Sequence, residues 1–238
     1  MAKTLRFENQ DIYILHSYPF KESSLIVDIF SKNYGRISAV AKGARRPHSS
    51  LRGMLQSFQR LEANWSGSQE LKTLNSIEWS SPLNTLKGDA LVCGFYINEL
   101  LLRLLPKDDP HEELFNYYDE TIRELAQLES LDITLRQFEL RLLKELGYEV
   151  MLSQDNESKP IQLNQMYAYE AGSGPTLNKK NGYAQMVSGQ TLYDMAQNDF
   201  TRSETQKQSK QLMRYLIAFY LGDKPLNSKK LFSQLGDA

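Results

Sequence analysis

The most distinctive chemistry in this sequence is a run of positive charge that contains no carboxylate. The 33 residues between Asp28 and Glu62 include seven Lys or Arg side chains and neither Asp nor Glu. Neighbours in the sequence cannot cancel the field of such a segment, so a polyanion is its natural partner. The seven cations are Lys32, Arg36, Lys42, Arg45, Arg46, Arg52 and Arg60.

Three of these cations lie in one short stretch, residues 42–50, which reads Lys-Gly-Ala-Arg-Arg-Pro-His-Ser-Ser. Gly43 can adopt a positive φ, and Pro47 prevents a helix from running through the stretch. Such a loop can offer backbone N–H groups and cationic side chains to phosphates, although many basic loops are only solvated surface. The predicted nucleic-acid-binding residues are Lys42, Arg45 and Arg46, with Arg36, Arg52 and Lys72 as further candidates.

Residues suited to metal or covalent chemistry are sparse. Cys93 is the only cysteine, which excludes an internal disulfide and any zinc site with two thiolates. His16, His48 and His111 are widely separated and lack the i, i+4 spacing of a helical metal pair. The sequence has no phosphate-binding Gly-x-x-x-x-Gly-Lys-Ser/Thr pattern. We therefore predict no metal, no cofactor and no enzymatic activity.

The composition is that of an ordinary globular protein, with 238 residues, 41% of them hydrophobic and 24% charged. No apolar run approaches the roughly 18 to 20 residues that cross a bilayer. The N-terminus also lacks the apolar core of a secretory signal. We therefore expect a cytoplasmic location and no membrane partner.

Charge is distributed unevenly along the chain. Basic residues outnumber acidic ones by 11 to 7 in residues 1–80 and by 10 to 8 in residues 151–238. Acidic residues lead by 14 to 7 in residues 81–150. This asymmetry predicts a basic module joined to an acidic one.

Short segments rich in β-branched and aromatic residues occupy the first 80 positions, which predicts strands. Turn residues such as Asn33-Tyr34-Gly35 separate these segments. Five strands in about 80 residues are enough for a small closed barrel, which leaves no sheet edge exposed. The predicted strands are 11–16, 24–30, 36–41, 58–65 and 70–79.

After Pro82 the apolar residues recur at three- and four-residue intervals, which predicts amphipathic helices. Gly147 is a suitable residue to follow the end of the third helix. Three helices with short connections should bury their apolar stripes against one another as a bundle over residues 82–148. The predicted helices are 90–105, 110–125 and 132–146.

Residues 149–190 depart from the helical pattern, because turn-forming residues alternate with two short segments that could pair as strands. These segments are residues 166–169 and 182–187. A last helix is predicted over residues 203–221, where Gly222 ends the pattern. The basic segment after it, residues 224–232, could reinforce the N-terminal positive charge.

Several of these segments, in this order, resemble the RecO family of bacterial recombination mediators. None of them is diagnostic alone, but their order and spacing over nearly the whole chain make coincidence improbable. The matching segments are Ser-Ser-Leu-Ile-Val-Asp-Ile-Phe at 23–30, Gly-Arg at 35–36, Ala-Lys-Gly-Ala-Arg at 41–45, Tyr-Ile-Asn-Glu-Leu-Leu at 96–101, Arg-Gln-Phe-Glu-Leu at 136–140, Leu-Gly-Tyr at 146–148 and Tyr-Leu-Gly-Asp-Lys-Pro-Leu-Asn-Ser at 220–228.

The resemblance implies an α+β architecture, with an N-terminal OB-fold over residues 1–80 and a mainly helical domain over residues 81–238. Proteins of this family bind single- and double-stranded DNA and anneal strands covered by single-stranded DNA-binding protein (SSB). They work with RecR, and in some bacteria RecF, to load RecA at gaps. The resemblance thus implies a nucleoid-associated mediator without enzymatic turnover.

The chain departs from part of the family in residues 149–190. Many members carry four zinc-binding cysteines after the helix that ends in Gly-Tyr, whereas this segment contains none. We therefore predict no zinc there and a subdomain held by turns and paired strands.

The resemblance also indicates where SSB could bind. The acidic, phenylalanine-tipped tail of such SSB proteins needs an apolar pocket with a cation at its rim. Arg136, beside Phe138 on the third predicted helix, matches the family's position for this contact. The alternative is an ion pair between Arg136 and Asp132 or Glu139, worth little on an exposed surface.

Two other interpretations stay open on the sequence alone. An OB-fold that binds RNA, or a protein-interaction adaptor without DNA annealing activity, would also suit a basic barrel joined to an acidic helical region. Tyr34 or Phe58 could stack on bases, although packing in a core or turn is the commoner role of such residues. We expect a monomer that assembles with RecR, because no long heptad run is present.

Overall fold

Strand-forming residues dominate the start of the chain, and the computed structural model places five strands there. Successive pairing in the order β1-β2-β3-β5-β4 returns to β1, so the strands form a closed barrel. β3 and β5 pair in parallel, and the other neighbours are antiparallel. The strands are β1 (Arg6–Phe20), β2 (Ser24–Ser31), β3 (Gly35–Ala41), β4 (Arg60–Ser66) and β5 (Leu71–Trp79).

The structure describes residues 5–82, 85–128, 130–177, 184–222 and 226–228. The chain divides into two compact units, residues 1–128 with 226–238 and residues 129–225. Each unit has its own hydrophobic core. Among the described residues, none of the helices is both long and apolar enough to cross a membrane.

Alternate residues of the strands fill the barrel, as the period of two in a strand requires. Trp65 is fully buried there among aliphatic side chains such as Ile12, Val27 and Ile37. One helical turn, α1 (Leu51–Met54), packs two of its apolar residues against the same core. Sequence periodicity missed α1, because four residues are too few to show a helical repeat.

β1 is much longer than the predicted strand 11–16, and it changes partners along its length. Its first part, Arg6–Tyr13, pairs with β4, whereas Ile12–Phe20 pairs with β2. A register shift between Ile14 and His16 marks the change. The part of β1 beyond Leu15, which we call the arm of β1, therefore pairs with β2 alone among the described strands, while β2 continues to pair with β3 on its other side.

Two helices, α2 (Gly88–Leu104) and α3 (Glu112–Gln127), belong to the same unit as the barrel. Tyr13 and Phe30, on the outside of the barrel, pack against Phe115 and Tyr118 of α3 with ring centroids 4.8 to 6.0 Å apart. Buried aromatic pairs of this kind add to the free energy that area burial alone supplies. The first compact unit therefore includes α2 and α3 as well as the barrel, and does not end near residue 80.

The second unit contains α4 (Leu131–Glu145), α5 (Gly189–Ala196) and α6 (Ser203–Leu221) with a small sheet of order β7-β6-β8. Gly147 has φ +79°, as expected of a glycine after a helix. The three helices predicted as one bundle are thus divided, because α2 and α3 are in the first unit. The strands are β6 (Met166–Glu170), β7 (Gly174–Thr176) and β8 (Gln185–Ser188).

Tyrosine hydroxyls and one buried carboxylate organise residues 149–190. The Met151 N–H donates to the Tyr169 hydroxyl at 2.7 Å, and the Gln162 N–H donates to the Tyr167 hydroxyl at 2.9 Å. Asp155 accepts hydrogen bonds from the backbone of two following residues, Glu157 and Lys159. These hydrogen bonds satisfy buried polar groups of the segment from within the chain. Residues 182–183 of the predicted strand lie outside the described residues.

Candidate nucleic-acid interface

The predicted loop lies between β3 and α1, and its cations point away from the barrel core. Lys42, Arg45 and Arg46 are all exposed, as is Arg52 on α1. Within the part of the chain that the structure describes, no carboxylate forms an ion pair with any of these four side chains. Their charge is available to an external anion, and we refer to residues 42–50 as the basic loop.

The backbone of the basic loop is mostly engaged in its own turns. The N–H groups of Ala44, Arg46 and Ser49 donate to the carbonyls of Ala41, Gly43 and Arg46. Gly43 allows the tight turn because its φ is +70°. The backbone N–H groups therefore add little to an anion site, and phosphate contacts must come chiefly from side chains.

The β1–β2 turn adjoins the basic loop. The backbone N–H of Arg45 donates to the Ser23 carbonyl at 2.9 Å, and its guanidinium donates to the Lys21 carbonyl at 3.4 Å. Lys21 is exposed and lies before the carboxylate-free segment. Sequence reasoning missed Lys21, because only the closed barrel shows which turn lies beside the basic loop.

Two further candidates, Arg36 and Lys72, are engaged within the fold. Arg36 donates from Nε to the Leu105 carbonyl at 2.9 Å. Lys72 is buried, and its Nζ lies 2.6 Å from a carboxylate oxygen of Asp108. These contacts join β3 and β5 to the connection between α2 and α3, so both charges are partly used by the protein itself.

Arg60 is the most heavily paired cation of the carboxylate-free segment. It bridges Asp11 at 2.8 Å and Asp119 at 3.4 Å, while Tyr13 donates a hydrogen bond to Asp119. The hydrogen bond with Asp11 raises the pKa of Arg60 above its ordinary value. Burial, with the hydrogen bond to Asp119, raises the pKa of the Tyr13 hydroxyl. This network fixes the barrel to α3 and presents no charge for a ligand.

The aromatic candidates Tyr34 and Phe58 pack within the protein. Tyr34 is half-buried, with ring centroids 4.9 Å from Phe7 and 5.6 Å from Trp65. Phe58 is buried against Phe95 of α2 at 5.2 Å. These contacts favour the packing role for both rings.

In the second unit, Arg136 and Glu139 form one of the two ion pairs that the sequence suggested. The guanidinium Nη2 lies 2.5 Å from the Glu139 carboxylate, and both side chains are buried. Phe138 is also buried, and Arg136 Nε has no hydrogen-bond partner. The pair is therefore not the exposed one that was anticipated, and breaking it would be costly.

No group of three or more His, Cys, Asp or Glu side chains that could hold a metal ion occurs among the described residues. Cys93, the single cysteine of the sequence, is buried on α2. The basic residues of the predicted tail, Lys224, Lys229 and Lys230, lie outside the described residues. Asn227 and Ser228 precede Lys229 and Lys230. Their backbone N–H groups donate to the Glu99 carboxylate of α2 at 2.7 and 2.8 Å.

Comparison with known proteins agrees with this architecture. Residues 5–83 match the family model described as Recombination protein O N terminal, and residues 86–230 match Recombination protein O C terminal. The first match ends and the second begins close to the point where the strands give way to helices. They jointly span almost all of the described structure.

Individual relatives are similar over nearly their full length. A DNA repair protein RecO of Nitrosospira multiformis is 48% identical over 233 residues, 96% of each chain. One from Azoarcus sp. strain BH72 is 48% identical over 240 residues, 99% of each chain, and one from Dechloromonas aromatica is 44% identical over 234 residues. The chain therefore belongs to the RecO family of DNA repair proteins.

Proposed function

We propose that this protein is a recombination mediator in DNA repair that binds single- and double-stranded DNA and anneals strands coated with SSB. With RecR, and RecF where it is required, it helps to load RecA at gaps. The protein acts by holding strands and partners, without catalytic turnover. Membership of the RecO family supports the repair role, and the basic loop supports the mode of DNA binding.

The observation that carries this proposal is that Lys42, Arg45 and Arg46 are exposed on one loop and form no ion pair with a described carboxylate. Annealing requires a protein to hold a flexible strand by its phosphates while the bases stay free to pair. Side-chain cations on a loop meet that requirement, since they bind phosphates without reading base edges. Binding of this kind is independent of sequence and weakens as salt rises.

The decisive experiment replaces all three loop cations with Ala and measures affinity for a single-stranded oligonucleotide at several salt concentrations. Removing one cation that binds a phosphate should lower the slope of log K against log salt by about 0.7. The triple variant should therefore show a slope smaller by about 2, with weaker binding at low salt. It should also lose acceleration of annealing between complementary strands coated with SSB.

A matched control removes three exposed lysines of the second unit, Lys144, Lys159 and Lys210. Each of these is ion-paired with a carboxylate, so their removal should leave the salt slope unchanged. If the two triple variants lose affinity equally, the basic loop is not the DNA site. If the wild-type protein prefers RNA or binds no polynucleotide, the mediator proposal gives way to an RNA-binding protein or an adaptor.

We further propose that the acidic tail of SSB binds at Arg136 on α4, the helix that also carries the buried Phe138. Arg136 Nε is buried without a hydrogen-bond partner, so a tail carboxylate that displaced the covering side chains would satisfy a donor that the fold leaves unsatisfied. Glu139 is the internal competitor for that guanidinium. A tail carboxylate would therefore have to share or displace this contact.

The competition gives a two-variant test with an SSB tail peptide. Arg136→Met should abolish peptide binding and retain binding to bare DNA, while Glu139→Gln should retain or strengthen peptide binding. Circular dichroism establishes that each variant is folded. Unchanged peptide affinity in folded Arg136→Met would reduce Arg136 to a structural ion-pair partner.

A further inference from the structure

The arm of β1 carries three ring side chains at alternate positions. His16, Tyr18 and Phe20 project from the same side of β1, because side chains alternate along a strand. His16 and Tyr18 are exposed, and Phe20 is half-buried. The His16 and Tyr18 ring centroids are 6.0 Å apart, with their planes inclined by 29°.

The surface beside these rings is open and apolar. Tyr18 lies opposite Ile26 of β2, which in turn lies opposite Val40 of β3. Paired residues share a face of the sheet, and this face is the outer one because their neighbours Val27 and Ala39 point into the barrel core. Tyr18 remains 40% exposed there, although large apolar rings are usually covered.

The row of rings ends where the positive charge begins. Lys21 follows Phe20 directly, and its Nζ lies 5.3 Å from the centre of the Phe20 ring. Arg45 of the basic loop bonds the Lys21 and Ser23 carbonyls, as described above. The rings and the cations Lys21 and Arg45 are therefore neighbours, and the turn between them also carries the exposed Glu22.

We propose that His16, Tyr18 and Phe20 form a stacking track for the bases of single-stranded DNA, whose phosphates run along Lys21 and the basic loop. This inference rests on the proposed function and assigns the part of the site that contacts bases. Aromatic faces accept any base, so the track adds affinity without adding sequence preference.

The spacing of the rings suits annealing. Side chains two residues apart on a strand are separated by roughly 6.6 Å, about twice the 3.4 Å step between stacked bases in a duplex. Bases laid on successive rings would therefore be held away from one another. A strand kept extended in this way cannot fold back on itself, and its pairing edges stay accessible to a complementary strand.

One carboxylate, that of Asp28, lies beside the row of rings. Asp28 lies opposite His16, and it accepts a hydrogen bond from the Ser38 hydroxyl at 2.7 Å. A negative charge there repels phosphates and so directs the sugar–phosphate backbone toward Lys21 and Lys42. Cations and aromatic rings thus have separate tasks on adjoining surfaces.

Abasic DNA separates these two tasks, since it retains the phosphates but offers no bases to stack. Binding of an oligonucleotide and of its abasic counterpart should be compared for wild type, Tyr18→Ala and Tyr18→Phe. Stacking contributes about 1–3 kcal/mol per base, so Tyr18→Ala should bind the ordinary oligonucleotide roughly 5- to 150-fold more weakly. Its affinity for the abasic strand should be unchanged, and Tyr18→Phe should behave like wild type.

Tyr193→Ala is the matched control, because Tyr193 is a similarly exposed tyrosine on α5 of the second unit. It should bind both strands as wild type does. If Tyr18→Ala binds ordinary single-stranded DNA as tightly as wild type, the track is overturned while the phosphate-binding function stands. If wild type binds neither strand, the proposed function itself fails and the track fails with it.

Discussion

The basic loop and the junction at Asp108 both contain predicted DNA-binding cations, but they use them in opposite ways. We define the junction as the contact of β5 and the start of β3 with residues 105–109. In the basic loop, Lys42, Arg45 and Arg46 are exposed and unpaired with described carboxylates. At the junction, Arg36 bonds the Leu105 carbonyl and Lys72 bonds the Asp108 carboxylate.

This difference shows that a cation's partners, rather than its presence in a basic segment, decide whether it can bind DNA. A carboxylate-free run of sequence excludes local ion pairs but not distant ones. Arg60 of that run pairs with Asp11 across 49 positions of sequence and with Asp119 across 59. At the junction, Asp108 reaches Lys72 across 36 positions. The junction therefore uses its charge for structure, and the basic loop keeps its charge for a ligand.

The largest expected effect concerns the glycine in each region. Gly35→Ala should lower the free energy of unfolding by about 2–5 kcal/mol, whereas Gly43→Ala should lower it by only about 1 kcal/mol. Both glycines have positive φ, at +63° and +70°. Only at Gly35 would an added Cβ lie 1.8 Å from the Asp109 carbonyl oxygen, because the nearest atom to a Cβ at Gly43 is 3.5 Å away in a flexible Arg46 side chain.

Urea unfolding followed by circular dichroism measures both effects. The strain of a positive φ is common to the two variants, so their difference reports the close packing of the junction. Equal destabilisation of the two variants would contradict the view that the junction is tightly packed and the basic loop open.

Much of the fold could be predicted from the sequence because its determinants are local. Alternation and turn residues indicated all five barrel strands, and the helical repeat gave bounds close to those of α2, α3, α4 and α6. The α+β arrangement of an OB-fold followed by helices is confirmed. The elements missed, α1, α5 and β7, are four, eight and three residues long, which is too short for a clear periodic signal.

The candidate site was less predictable because burial and pairing depend on distant segments. The exposed loop cations were identified from charge alone. The ion pair between Lys72 and Asp108 could not be predicted, because it depends on the packing of β5 against the α2–α3 connection. The arm of β1 was missed for a related reason. Its alternating rings at 16, 18 and 20 were visible in the sequence, but their exposure depends on where β4 stops pairing with β1.

A pair of substitutions with opposite readouts tests the comparison directly. Lys72→Met should lower the free energy of unfolding by about 1 kcal/mol and leave affinity for single-stranded DNA unchanged, because the charge is already engaged with Asp108. Arg46→Met should leave stability within about 0.5 kcal/mol and reduce the salt slope of DNA binding by about 0.7. Urea unfolding and fluorescence anisotropy give the two readouts. A drop in DNA affinity in Lys72→Met equal to that in Arg46→Met would place both regions in the DNA site.

The smallest expected effect on stability concerns Glu99. Its carboxylate accepts hydrogen bonds from backbone N–H groups, so its charge, like those at the junction, is used within the fold. Burial tends to raise the pKa of Glu99, but hydrogen bonds from Ser228 and Asn227 outweigh it, and the pKa lies below its ordinary value. A carboxylate with a lowered pKa contributes stability that is complete above its unfolded-state pKa of about 4.3 and is lost as the pH falls through the folded-state value.

Glu99→Gln should therefore be less stable than wild type at pH 7, and the difference should shrink below about pH 4, where wild type also loses the charge. Unfolding measured for both proteins between pH 7 and pH 3 isolates this contribution, because the other carboxylates titrate equally in each. Arg46→Met should show no such pH-dependent difference from wild type, since Arg46 has no carboxylate partner among the described residues. A constant difference between Glu99→Gln and wild type at all pH values would mean that the Glu99 charge, like those of the basic loop, is not engaged with the fold.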